Sequence, residues 1–355
     1  MSLRLPPFLS FCAPVAACLG VCLTLAAPAA ADSATQATAR APEQTAPEAA
    51  CTCRNARLDV VVLGSGGPEL SDQRASTGYL VREDGKARFI IDFGAGASLN
   101  FERAGGRIED LHALLFTHFH VDHSNDLPAL VKAAFFTNRR ADLPLYGPTG
   151  SATIPATPLF VERQFGDKGV YPYLSDFLTG EAGFALRPVA VDASHAQPKL
   201  FSTQVAGFTL KAIAVEHGPM PSLGWRVEKD GCAVVVSGDT SNAGKTLDVL
   251  AQGADVFIAH NAVPEHSHDE VALHLHMTPG EIGRIAQHTG SRSLVLSHFM
   301  RRTDGAHAET AAAIRQHYHG PLAFAQDCEV YSLQSGQRIG SCAGPRRAQR
   351  QGQKD

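Results

Sequence analysis

The chain lacks the charge excess that marks a nucleic-acid binder. Its 31 lysines and arginines are outnumbered by 35 aspartates and glutamates, giving a formal net charge of −4, and no stretch interleaves basic with aromatic side chains. Charge therefore supplies no electrostatic footprint for a polyanion, and no nucleic acid is expected as a partner on this ground. Long apolar runs are missing beyond the first thirty or so residues, so no stable membrane insertion of the remaining chain is expected. Cysteine is scarce. Cys12, Cys18 and Cys22 lie in the first apolar run, which leaves Cys51, Cys53, Cys232, Cys328 and Cys342. An odd number leaves at least one thiol free, or paired between chains, if the others are oxidised. The expected pairings are Cys328 with Cys342 across a hairpin-like C-terminal segment, and Cys51 or Cys53 as a staple for the segment before the domain. Cys51-Thr52-Cys53 lacks the C-x-x-C spacing of a redox or zinc pair.

Arg4, the apolar run from Phe8 to Leu25 and the small-residue exit Ala27-Pro28-Ala29-Ala30-Ala31 have the order of a secretory signal over residues 1–31, cleaved after Ala31 or Ala29. A retained anchor and acylation at Cys18 are the alternatives; the apolar run that continues past Cys18 argues against the second. Residues 32–54, rich in Ala, Pro, Thr, Glu and Gln, read as a disordered linker. Residues 55–341 are long enough for one domain with a sizeable core, and residues 342–355, with Arg346, Arg347, Arg350 and Lys354, read as a basic tail. The expected location is periplasmic or secreted, and a homodimer is left open.

Within the domain, apolar runs at 58–63, 78–81, 87–92, 114–116, 143–146, 209–215, 224–227, 233–236, 256–259 and 293–296 predict strands. Helical spacing falls near 98–104, 127–136, 243–250, 280–288 and 309–317, with two further strands near Ala323 and Val330. Residues 151–192 are the least legible and read as a lid or substrate wall. Strands in runs, then alternating with helices in each half, predict an α/β protein: a four-layer αββα sandwich with two packed sheets inside.

The strongest chemical signal is Thr117-His118-Phe119-His120-Val121-Asp122-His123, directly after the apolar run ending at Phe116. Residues at i and i+2 of an extended segment share a side, so His118 and His120 suit one ion, and Asp122 and His123 a second. His217, Asp239 and His298 each follow an apolar strand, where loops gather on one rim; His276 precedes a helix. Asp92 ends a strand and reads equally as a turn former or as an acceptor that orients a ligand histidine. His266, His268 and His274 read as a solvated loop near the site, with modulation of access or capture of a third ion as the alternative. His112, His195, His288, His307, His317 and His319 carry no motif.

At these residues the chain resembles the metallo-β-lactamase superfamily, more narrowly its ribonuclease Z and arylsulfatase-like branch. The resemblance runs from Leu58 to about Tyr331. It is carried by Gly64-Ser65-Gly66-Gly67-Pro68, Ile91-Asp92-Phe93-Gly94, the His118–His123 cluster, His217 with Gly224-Trp225-Arg226, Ser237-Gly238-Asp239-Thr240 and Ser297-His298-Phe299. It implies the metallo-β-lactamase fold and two divalent ions. His118, His120 and His217 would hold one, Asp122, His123 and His298 the other, and Asp239 would bridge them. Zinc suits imidazole and carboxylate donors, and manganese or iron also accepts them. Zinc β-lactamases generally lack the bridging aspartate, which disfavours antibiotic hydrolysis. Asp122 and His276 are the catalytic candidates, His276 as the group over the leaving oxygen. Ribonuclease Z orients the matching histidine with a glutamate, whereas His260-Asn261-Ala262-Val263 carries Asn261 there, an amide that can orient His276 by a hydrogen bond but cannot raise its basicity as a charge would.

Ribonuclease Z also has a long basic arm where Gly224-Trp225-Arg226 and Gly238-Asp239-Thr240 are joined here by little more than a hairpin. The expected activity is an exported hydrolase of a small-molecule ester, a phosphodiester or aryl sulfate. A lactonase or carboxylic esterase, and a metal-binding protein without turnover, are the alternatives.

Overall fold

The computed structural model describes Cys53 and residues 57–342; the expected signal, Cys51 with most of the linker, and the basic tail beyond Cys342 lie outside the described residues. The first strand, β1 (Leu58–Gly64), shows how the apolar runs are used. Val60 and Val62 enter one hydrophobic layer and Val61 and Leu63 another, so both faces are buried. A strand covered on both sides needs a continuous apolar run rather than an alternating one.

The chain continues through β2 (Gly78–Glu83), β3 (Lys86–Phe93), α1 (Ala97–Arg103), β4 (Ala113–Leu115), α2 (Val121–Ser124), α3 (Leu127–Ala134), β5 (Leu143–Pro148), α4 (Thr157–Phe165), α5 (Asp176–Thr179) and β6 (Leu186–Val191). A second series follows: β7 (Phe201–Val205), β8 (Phe208–His217), β9 (Met220–Lys229), β10 (Cys232–Val236), α6 (Leu247–Leu250), β11 (Val256–His260), α7 (Glu270–Leu275), α8 (Pro279–His288), β12 (Leu294–Ser297), α9 (Arg301–Asp304), α10 (His307–Arg315) and β13 (Leu322–Phe324). Then β14 (Glu329–Ser332) and β15 (Arg338–Ser341) return to the first sheet beside β1. The sheets have the orders β15-β14-β1-β2-β3-β4-β5-β6 and β13-β12-β11-β10-β9-β8-β7. Pairing is parallel from β3 to β6 and from β10 to β13.

Three apolar layers hold four structural layers together, as the sequence pattern predicts. Val60, Tyr79, Phe89 and Ile91 meet Leu210, Trp225, Val234 and Val236 between the sheets. Leu130 and Val131 of α3 and Val161 and Phe165 of α4 cover the first sheet, and Leu247 of α6, Ile282 and Ile285 of α8 and Ile314 of α10 cover the second. The fully buried Trp225 also donates its indole N–H to the Phe116 carbonyl at 2.9 Å, tying β9 to the segment that follows β4. Helix α8 starts cleanly because Thr278 accepts a hydrogen bond from the Glu281 N–H and Pro279 occupies the first turn, where its missing N–H costs nothing.

Three expectations change. Residues 151–192 form no lid: α4 and α5 pack their apolar sides under the first sheet and β6 extends that sheet, because Val161, Phe165, Phe177 and Leu186 find more burial there than at a rim. Cys53 is the staple, but its partner is Cys232, with both sulfurs buried in the layer between the sheets. Cys328 and Cys342 are not bridged; they sit across from each other at the end of the β14–β15 ladder as two thiols, with the Cys342 N–H on the Cys328 carbonyl at 2.7 Å. Strands β7 and β15 are not legible in the sequence, since both are short edge strands with no fully buried residue. No helix among the described residues is long and apolar enough to cross a membrane.

Candidate metal centre

Parallel strands all end on one rim of a sandwich, and the loops that follow them carry the polar residues together. His118 follows β4, Asp122 and His123 lie in α2, His217 is the last residue of β8, Asp239 follows β10 and His298 follows β12. Asp92, near the end of β3, adopts a left-handed backbone with φ 55°, and His298 does so with φ 59°. Non-glycine residues hold such values only where the surroundings over-determine them. Here the Asp92 carboxylate accepts the Thr117 N–H and hydroxyl, both at 2.7 Å, fixing the start of the histidine segment.

The side chains form two groups that share one carboxylate. His118 Nε2 lies 3.0 Å from His120 Nδ1, which is 3.4 Å from His217 Nε2. On the other side, Asp122 Oδ2 lies 3.5 Å from His123 Nε2 and 4.0 Å from His298 Nε2. Asp239 Oδ2 stands between the groups, 3.9 and 3.7 Å from the Nε2 atoms of His118 and His217, and 3.5 and 3.4 Å from those of His123 and His298. Nitrogens bound to one zinc at about 2.0–2.1 Å in a tetrahedron are roughly 3.3 Å apart, so these spacings are those of atoms converging on a common centre.

The outer ring nitrogens explain why the inner ones face inward. His123 Nδ1–H donates to Asp92 Oδ2 at 2.8 Å, and His217 Nδ1–H to the Leu275 carbonyl at 3.0 Å. The hydroxyls of Thr117 and Thr77 already donate, to Asp92 and to the Gly66 carbonyl, so each accepts from a ring instead: His118 at 3.0 Å and His298 at 2.6 Å. In their neutral form the four imidazoles thereby carry the lone pair on Nε2, pointing into the site. Asp92 is thus an orienting acceptor. His260 was not singled out from sequence. Its Nδ1–H donates to Asp239 Oδ1 at 2.7 Å and its Nε2 accepts from Tyr79 Oη at 3.0 Å, so it anchors the shared carboxylate. Its position as the last residue of an apolar strand was the available signal.

Electrostatics point to a cation. Burial pushes the His118 and His298 imidazoles well below their ordinary range, which keeps them neutral and able to coordinate. Burial acts the same way on His123, but the carboxylates of Asp122, Asp239 and Asp92 override it and raise that group well above its usual value. Burial opposes ionisation of Asp239, yet His298, His123 and His276 around it hold its carboxyl far below the carboxylate range. Among the described residues His123 Nε2 is nevertheless buried without a well-formed hydrogen bond, its nearest carboxylate oxygens standing 3.5 Å away. Such an orphaned nitrogen beside two carboxylates fits a divalent metal ion.

A cavity of about 470 Å³ opens over the centre, lined by His120, Asp122, His217, Asp239, His276 and His298 among others. His276 caps the C-terminus of α7 with its ring centroid 5.3 Å from that of His217 and 5.9 Å from that of His298. Burial lowers it to about 4. The expected hydrogen bond from Asn261 is not formed: both Asn261 amide atoms and His276 Nδ1 are buried without partners among the described residues. His266 and His268 are exposed on the loop before α7 and His274 on α7 itself, outside the cluster. A larger cavity of about 620 Å³, between α1 and α3, touches none of the clustered residues.

Residues 87–299 match the family model described as the β-lactamase superfamily domain. A ribonuclease Z of Mycobacterium bovis is 30% identical over 257 residues, covering 68% of this chain and 86% of that protein. Among solved structures, the metallo-β-lactamase fold protein YhfI of Bacillus subtilis aligns with TM-score 0.60 at 21% identity, covering 78% of this chain and 99% of that one. The short form of human tRNase Z aligns with TM-score 0.57 at 20% identity, over 78% and 99% of the two chains. The 30%-identical relative, a ribonuclease by name, overturns the expectation that nucleic acid is excluded; net charge misleads because metal ions, rather than basic side chains, can neutralise a scissile phosphate. Sequence, fold and clustered donors together make the chain a hydrolase of the metallo-β-lactamase superfamily.

Proposed function

We propose that this protein is an exported phosphodiesterase with two divalent ions, RNA included among its candidate substrates. His118, His120 and His217 would hold one ion, Asp122, His123 and His298 the other, with Asp239 shared. The observation that carries this reading is the position of Asp239 Oδ2, within 3.4–3.9 Å of inward-facing nitrogens from both groups. Zinc is the favoured metal because the donors are imidazole and carboxylate. When bound, the pair would supply an activated water and neutralise charge on the phosphoryl oxygens. Export is supported by the pattern of residues 1–31 and by the Cys53–Cys232 disulfide, since disulfides persist in oxidising compartments.

The chain's own residues orient and polarise. His260 and Asp92 fix the carboxylate and ring that set the site's geometry. His276, with its pKa near 4, is an uncharged imidazole at neutral pH. Its contribution is a ring N–H hydrogen bond to the charge developing on the leaving oxygen, rather than delivery of an imidazolium proton. His276→Ala should therefore lower kcat roughly 10²–10³-fold with zinc content unchanged; a wild-type rate would return it to the rim. Zinc-loaded protein assayed on bis-nitrophenyl phosphate, a short RNA, nitrophenyl sulfate and a lactone panel tests the reaction class. Turnover of the phosphodiesters is expected. Turnover of the sulfate or lactones alone would overturn the phosphodiesterase reading, and no turnover with two zinc ions bound would overturn hydrolysis.

A further inference from the structure

Above its charged floor the cavity has an apolar mouth. Val121 and Val271 both line it, yet each is 71% exposed. They reach it from different sheets: Val121 stands between His120 and Asp122 on the segment that follows β4, and Val271 lies in α7, which follows β11. Pro68, Ala272, Leu275 and Met300 continue the wall. A single exposed valine is ordinary; two lining one cavity beside a cluster of metal-type donors leave apolar surface in that cavity for a substrate to cover. Valine is also a weak choice for an exposed helical position, where it gains neither packing nor propensity. The one guanidinium or ammonium in the lining belongs to Arg302, and it is already engaged: Nε donates to the Ala262 carbonyl at 2.6 Å and Nη1 stands 3.3 Å from Asp269. Outside the donor cluster, recognition in this cavity is therefore built on apolar contact more than on charge.

We propose that Val121 and Val271 grip a flat, uncharged ring carried on the non-leaving side of the scissile phosphodiester, either a nucleobase or an aryl group. The assignment rests on the phosphodiesterase reading for the position of the ring, and the ring itself is recognised by the valines. A ring laid against the two branched side chains removes apolar surface of both ring and valines from water, whereas a methyl group in the same place leaves both valines wet. Shielding on the order of 50 Å² of apolar surface corresponds to about a tenfold preference.

Three p-nitrophenyl phosphodiesters that differ only in the non-leaving group, phenyl, 5′-thymidine and methyl, test this on the zinc-loaded full chain. Each rate is normalised to that ester's hydrolysis by free hydroxide. The phenyl or thymidine ester should exceed the methyl ester about tenfold in kcat/KM, chiefly through KM, and whichever ring wins identifies the source as aryl or nucleobase. Val271→Ser should lower that ratio several-fold with zinc content retained, and Val271→Ile should keep it. A wild-type ratio near one, or a ratio indifferent to Val271→Ser, overturns the proposal. Calorimetric binding of phenylphosphonate against methylphosphonate gives a readout without turnover. If no ester is cleaved, the phosphodiesterase reading fails while the phosphonate preference, about tenfold if the valines act as described and near one if they do not, still decides the ring site.

Discussion

Asp239 is the residue that faces both halves of the donor cluster. One oxygen faces four imidazole nitrogens and the other is pinned by His260, so its direction is set by a chain that runs from Tyr79 Oη through His260 to the carboxylate. Asp239→Ala should remove at least one of two bound zinc ions and nearly all turnover, read by elemental analysis beside the phosphodiester assay; an unchanged metal content would refute the shared role. Losing an outer partner is milder. Asp92→Asn leaves the ligands in place but weakens the acceptor for His123, and should cost roughly 10–100-fold in zinc affinity by competition with a chromogenic chelator.

Among the elements, the β9–β10 hairpin and α7 separate this chain's surroundings from its centre. The hairpin closes through Asp230 and Gly231 with φ of 49° and 75°, the left-handed pair of a tight two-residue turn, so the link between these strands carries no arm. Helix α7 supplies Leu275, whose carbonyl fixes His217, together with the Val271 wall and His276 at its end. The start of β10 is tied by the Cys53–Cys232 disulfide across 179 residues of sequence. Closing so long a loop restricts the unfolded chain, and replacing both cysteines by serine should lower unfolding free energy by about 2–4 kcal/mol. Urea denaturation of the double variant measures this, and an unchanged midpoint would show that the tie contributes nothing.

For the whole molecule, buried imidazoles link folding to pH. His118, His276 and His298 are held neutral by burial, so in acid the unfolded chain binds protons that the folded chain refuses. Their stability is fully present above the unfolded value of about 6.5 and is lost as pH falls through the depressed folded values, near 4 for His276. His123 has the opposite sign, its contribution being present below about 6.5 and lost as pH rises through its raised folded value. Burial lowers His112 and His120 in the same direction, so with five imidazoles against one the metal-free protein should lose thermal stability progressively from about pH 6.5 toward 4, measured by melting temperature in matched ionic strength. A melting temperature flat across that window would refute the neutral assignments.

The sequence by itself determined the layered architecture and the donor residues. Strands buried on both faces must be continuous apolar runs, and ligands delivered at strand ends must follow those runs, so 58–63, 114–116 and 233–236 announce themselves together with His118, Asp239 and His298. Only the tertiary structure decided what depends on distant partners. It paired Cys53 with Cys232 rather than Cys328 with Cys342, folded 151–192 under a sheet instead of over the site, and gave His260 its carboxylate. It also left Asn261 without the partner its position suggested and brought Val121 and Val271 to one cavity mouth. Each of these is a contact between residues far apart in the chain, where local pattern carries no information about which surfaces meet.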